Sequence, residues 1–190
     1  MTLAGVSAVA AGIVFLISGA CIVVFFVSEK EAWGRANDAT IALFAALMIP
    51  PAVDIYERYA PGSRWVVGPF TLIGIVGMLV IVVTSGLTAA AKLDWLLSAK
   101  IGAAGFSGYL AWMASSCVLI FQRGGLPGAL GGFGLVTVGI VGVAVGLTIR
   151  FIQVHGRLSG EIQPPVGMWV VFAVAFVSLP VWTIWLGVSL

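Results

Sequence analysis

Apolar positions in this chain do not alternate with polar ones; they run on in long blocks. Six stretches contain no Asp, Glu, Lys or Arg: 1–28, 39–53, 65–91, 101–122, 124–149 and 162–190. The hydrocarbon core of a bilayer needs about 20 mostly apolar residues per helix. Five stretches exceed that length, and the second, 39–53, falls short at 15 residues. Continuous runs point to helices rather than to a barrel, whose strands would alternate. The pattern predicts an all-α polytopic membrane bundle of six transmembrane helices in a single domain, with spans at about 3–27, 39–59, 66–90, 96–121, 133–154 and 167–188.

Tryptophan placement fits that count. Trp65 and Trp95 stand just before spans three and four, while Trp169 and Trp185 stand near the ends of span six. Indoles favour the membrane interface, half buried with the N–H near water. Trp112 and Trp182 fall deeper and are expected to pack between helices.

Composition removes the soluble alternative. Hydrophobic residues make up 61% of the 190 and charged residues 8%, where a soluble domain carries roughly 25% charged. Mean hydropathy is +1.17. A net charge of +2 is too small and scattered for nucleic acid. The lipid bilayer is the expected partner, in a multi-pass protein of a cell membrane. Thr2–Val27 lacks the basic region of a signal peptide, and Ser18-Gly19-Ala20-Cys21 departs from a lipoprotein box, so span one is expected to stay. Cys21 and Cys117 fall at opposite ends of an up-and-down bundle, which predicts free packing residues rather than a disulfide. Lys30, Arg35, Lys92 and Arg157 lie on one side, and Arg58, Arg64 and Arg123 on the other. Adding Lys100 and Arg150 favours the first side as cytoplasmic.

Glycine is abundant, at 25 residues. In span five Gly139, Gly142 and Gly146 share one helical face. Span four carries Gly102, Gly105 and Gly108, and span three Gly74 and Gly77. Small faces let helix backbones approach closely, so spans three, four and five are expected to form a tight central bundle. No duplication of the first three spans in the last three is visible, so an inverted-repeat transporter gains no support. Residues 124–132 read as a loop by glycine and proline content, and they lack the Lys-Ser/Thr of a phosphate loop. Arg123-x-Gly125-Leu126-Pro127, followed by a glycine-rich span and Pro180-Val181-Trp182-x-x-Trp185-Leu186-Gly187, resembles a group of six-span bacterial membrane proteins without a settled biochemical function. The resemblance covers about the last third of the chain. It implies the architecture and a bacterial inner-membrane setting, and nothing more.

Chemistry-bearing residues are few. One histidine, His155, argues against bis-histidine haem and against a zinc peptidase or other multi-histidine metal site, so no cofactor and no metal are expected. Gly105-Phe106-Ser107-Gly108 resembles the Gly-x-Ser-Gly signature of rhomboid intramembrane proteases. That family's base is a histidine in helix six, which this span six lacks, and Ser107 falls far deeper than His155. Span two is the most informative segment. Pro50 and Pro51 remove two amide donors and are expected to kink or break the helix near mid-bilayer, leaving the carbonyls of Ala46 and Leu47 to other partners. Asp54 follows the break, then Glu57 and Arg58. An acid after a broken helix is the pattern of an ion or proton site; an Asp54–Arg58 pair marking the exit from the bilayer is the other reading. Lys100, five residues into span four, is expected to snorkel and to pair with Asp94, Glu31 or Glu161.

The favoured expectation is a non-enzymatic membrane subunit, associating with other subunits or with itself through its glycine faces. A small transporter or proton-coupled channel using Asp54, Glu57, Arg58 and Lys100 beside the Pro50-Pro51 break is the alternative, and an intramembrane serine protease stands third.

Overall fold

A computed structural model describes residues 1–61, 63–155 and 165–190, without the His155 side chain. Arg157 and Glu161 lie outside the described residues. Seven helices follow in order: α1 Leu3–Ser28, α2 Glu31–Leu47, α3 Ile49–Tyr59, α4 Arg64–Ala89, α5 Trp95–Arg123, α6 Gly128–His155 and α7 Val166–Ser189. With α2 and α3 counted as one interrupted span, six are long and apolar enough to cross a membrane. The chain is an all-helical, multi-pass membrane protein.

Local signals set the helix ends. Thr2 caps α1 by accepting from the Gly5 amide at 3.0 Å, and Asp94 caps α5 through the Leu97 amide at 3.1 Å. Gly124 and Gly125, at φ 72° and 82°, end α5 in a conformation that costs glycine nothing. Each span packs against the next in the chain, and α7 closes on α1. The bundle is therefore a ring. One face carries the turns at 29–30 and 90–94 (the Lys92 face), and the other the end of α3, the start of α4 and the turn at 124–127 (the Arg123 face). Outside the ring, Leu72, Val83, Val136, Val143 and Val177 are exposed, as a lipid solvent requires.

Glycines set how closely the ring draws in. A Cβ on Gly77 would lie 2.5 Å from the Gly105 carbonyl oxygen, and one on Gly105 would lie 2.8 Å from that of Gly77. Gly108 stands as close to the carbonyl of Ile73, and Gly74 packs on Trp112. Gly5 and Gly187 make the same reciprocal contact where α1 meets α7, and Gly131 fits against Cys117 and Phe121 of α5. The expected contribution of span five is corrected: among the described residues nothing stands within 4 Å of a Cβ on Gly139, Gly142 or Gly146. That face of α6 is turned away from its neighbours. Gly102 meets only Thr84, at an ordinary 3.7 Å.

Two boundaries also change. The loop read at 124–132 is shorter, because α6 is already helical from Gly128. Span two begins at Glu31 rather than near residue 39, with Glu31 and Arg35 paired across one turn at 3.2 Å. Pro50 thus falls past the middle of the Glu31–Tyr59 span, toward the Arg123 face. The break itself is one residue wide, at Met48. The carbonyl of Leu47, which Pro51 cannot serve, accepts a 2.6 Å hydrogen bond from the Ser7 hydroxyl of α1. An unpartnered carbonyl in hydrocarbon is costly, so this contact joins α1 to the break. Ser7→Ala is expected to cost about 1 kcal/mol. In a Pro51→Ala chain the amide of residue 51 would take over the Leu47 carbonyl, so the same serine change should cost much less. Thermal unfolding of the four chains in detergent reads the coupling; equal Ser7→Ala losses in both backgrounds would rule it out.

Candidate functional site

Toward the Arg123 face the interior of the ring is filled. Phe44, Met48, Tyr109, Trp112, Met113, Leu179 and Trp182 are fully buried there. Rings follow one another across it: Phe15 to Phe44 at 4.7 Å, Phe44 to Tyr109 at 5.7 Å, Tyr109 to Trp112 at 5.7 Å and Trp112 to Trp182 at 6.4 Å between centroids. These residues come from α1, α2, the break at Met48, α5 and α7, and together they plug the ring. The Trp112 indole N–H and the Ser178 hydroxyl have no hydrogen-bond partner among the described residues. Tyr109 approaches Thr183, and Trp182 approaches Cys117, neither in well-formed hydrogen-bond geometry.

Toward the Lys92 face the ring is hollow. A cavity of about 280 Å³ is lined by all six spans, with Phe15 and Phe106 at its plug end. Beside it lies an outer vestibule of about 580 Å³ that shares Asn37, Asp38 and Trp95 with it and is lined further by Arg35, Lys92 and Asp94. The α5 wall is a single helical face: Trp95, Ser98, Ala99, Gly102, Ala103 and Phe106 recur at intervals of three and four. The Asp94 cap starts that helix, and so sets Trp95 at the junction of cavity and vestibule.

Asp38 lies seven residues into α2, about 10 Å along the helix from Glu31. It shares the inward face with Asn37 and Ile41. The Asn37 side-chain oxygen accepts from the Ser18 hydroxyl of α1 at 2.8 Å, and both residues are buried. That bond fixes the turn of helix that carries Asp38. The Asp38 carboxylate itself has no hydrogen bond and no ion pair among the described residues. The same cavity is lined by the Ser85 and Ser98 hydroxyls, both without a side-chain hydrogen bond among the described residues, by Asn37 and Thr148, and by an otherwise apolar wall. An uncompensated carboxylate inside a membrane is costly and is stabilised by a proton or a cation. A concave, mostly apolar cavity with a few polar groups is the usual form of a small-molecule site.

The residues singled out from the sequence fall elsewhere. Asp54 pairs with Arg58, whose guanidinium also donates to the Leu190 carbonyl at 3.4 Å, and Glu57 is exposed beside them. This group sits near the Arg123 face. Lys100 is exposed near the opposite face, outside the cavity, so the structure does not bring it to Asp54. Nor does it pair as expected with Asp94, which caps α5, or with Glu31, which holds Arg35. The Ser107 hydroxyl is spent on the Ala103 carbonyl of its own helix at 2.9 Å. Among the described residues no three His, Cys, Asp or Glu converge as metal ligands would. Asp38 was missed because a charge was taken to end a span. The signal for it was the Glu31–Arg35 spacing, which supports a helix running straight through the charged segment. Comparison with known proteins finds no matching family model, no matching curated protein and no matching solved structure.

Proposed function

We propose that the chain is a small membrane carrier whose solute occupies the cavity beside Asp38. The observation that supports this reading is a carboxylate without a counter-charge among the described residues, in a cavity that borders a vestibule on one side and an aromatic plug on the other. A carrier needs a site reached from one side at a time, and an occupied state that differs electrically from the empty one. Asp38 replaces Asp54 as the acid of the transport reading, because Asp54 already has its counter-ion in Arg58. Lys30, Arg35, Lys92, Lys100 and Arg150 lie toward the Lys92 face, which favours that face as cytoplasmic in a bacterial inner membrane.

The reading is tested by flux in proteoliposomes, using benzyltrimethylammonium, benzenesulfonate and phenylalanine as cationic, anionic and zwitterionic probes. At least one is expected to exchange across the membrane, with a rate at least tenfold lower in Asp38→Asn and little changed in Asp54→Asn. No flux of any probe, or equal effects of the two substitutions, would overturn it.

We infer a second reading from one observation, the open Gly139, Gly142 and Gly146 face of α6. Such a face suits close contact with a further helix, as a membrane subunit or a self-associating chain would make. Native co-purification of a partner, or a dimer in mild detergent that Gly142→Leu dissociates, supports this reading. A lone monomer under both conditions counts against it.

A further inference from the structure

We propose that the ligand of this cavity is a compact organic cation with an apolar or aromatic body, its charge held by Asp38 and its body by the aromatic wall. The inference rests on the carrier reading and names its solute class. Three features of the cavity select for that chemistry.

Charge is the first. Among the described residues the inner cavity is lined by one ionisable group, Asp38, and by no Lys, Arg or His. The cations Arg35 and Lys92 stay in the vestibule, and Arg35 is occupied by Glu31. An anion inside would meet a carboxylate with no counter-charge, whereas a cation supplies what the carboxylate lacks. The wall is the second. Phe26 stands edge-on to Trp169 at 4.9 Å, Trp169 edge-on to Phe172 at 6.3 Å, and Phe176 packs on Phe15 at 5.4 Å, all of them lining the cavity. Trp95 lines the same cavity from α5. Aromatic faces attract a cation through the ring quadrupole, and quaternary ammonium groups are the best-known ligands of such cages. Size is the third. At about 280 Å³ the inner cavity lies near the lower end of ligand pockets, about 300–1,000 Å³. A compact ammonium fits; an extended one would have to reach into the vestibule. Ser85 and Ser98 then offer hydroxyl groups to a polar substituent.

The test is equilibrium dialysis of radiolabelled benzyltrimethylammonium against the full chain in phosphatidylglycerol nanodiscs. Saturable binding of one cation per chain is expected, weakened at least tenfold by Asp38→Asn and largely kept by Asp38→Glu, with no binding of benzenesulfonate. Size-exclusion profiles matching the parent chain show that the variants fold. Competition by phosphatidylcholine discs would assign the ammonium to a lipid headgroup rather than to a free solute, within the same class. Benzenesulfonate bound as tightly as the cation, or cation binding untouched by Asp38→Asn, would overturn the proposal. So would Asp38-dependent flux of phenylalanine or benzenesulfonate without cation binding, and in that case the carrier reading itself would stand.

Discussion

Gly77→Val is expected to prevent this chain from accumulating as a folded, monodisperse protein in detergent, and Gly77→Ala to lower its stability by about 3 kcal/mol. The reason is what a side chain would meet. A Cβ at 77 would stand 2.5 Å from the Gly105 carbonyl oxygen and 3.0 Å from the Tyr109 amide nitrogen. Both are backbone atoms in the middle of a 29-residue helix, and no rotamer change relieves the clash. Inserted methylenes ordinarily cost about 1–3 kcal/mol where side chains can yield. Here α4 and α5 would have to separate, and even a gap below 1 Å forfeits a sizeable share of the dispersion energy along the seam. Gly142→Ala supplies the contrast, since a Cβ there meets nothing within 4 Å. It should shift stability by no more than about 0.5 kcal/mol. Equal melting temperatures for Gly77→Ala and Gly142→Ala would refute the close α4–α5 seam.

Trp112→Ala carries the second large effect, and it joins stability to access. Trp112 is fully buried, touching Tyr109, Trp182 and the glycine notch at Gly74. Removing a buried tryptophan costs about 3–5 kcal/mol, part of it for the void left behind. That void would lie in the plug. The cavity above would then connect toward the Arg123 face, and the barrier would become a leak. Trp65→Ala is the control, because Trp65 is 92% exposed and contributes nothing to the plug. A Trp112→Ala chain as stable and as tight as the parent would mean that the aromatic cluster is not the barrier.

The helix count could be read from the sequence because lipid imposes one simple rule, an uninterrupted apolar run for each crossing. The depth of Trp112 and Trp182 followed from their positions well inside spans four and six. Close approach of Gly77 and Gly105 was foreseeable, since small residues on consecutive spans are placed to meet. What the run-length rule hid was Asp38. A helix in a ring can carry a carboxylate inside the membrane when that side chain points at an internal cavity rather than at lipid, and charge counting does not distinguish the two directions. The same blindness to direction assigned Gly139, Gly142 and Gly146 to internal packing: periodicity shows that they share a face, not which way it points. Ring closure was hidden for another reason. Gly5 and Gly187 stand at opposite ends of the chain, and their contact appears only when α7 returns to α1. Ser7 and the Leu47 carbonyl are a similar case, where the proline break announced a missing donor but not its source.

Access to the cavity from the Lys92 face, and not past the aromatic plug, is what the carrier reading requires. Ala103 lies on its α5 wall, while the native thiols Cys21 and Cys117 are both buried. The direct measurement is the reaction of Ala103→Cys with a membrane-impermeant maleimide, in right-side-out and inverted vesicles, with the parent chain as blank. Modification is expected from the Lys92 face, with reaction from the Arg123 face at least tenfold slower until Trp112→Ala is added. A cysteine at 103 that reacts equally from both faces, or from neither, would contradict the account.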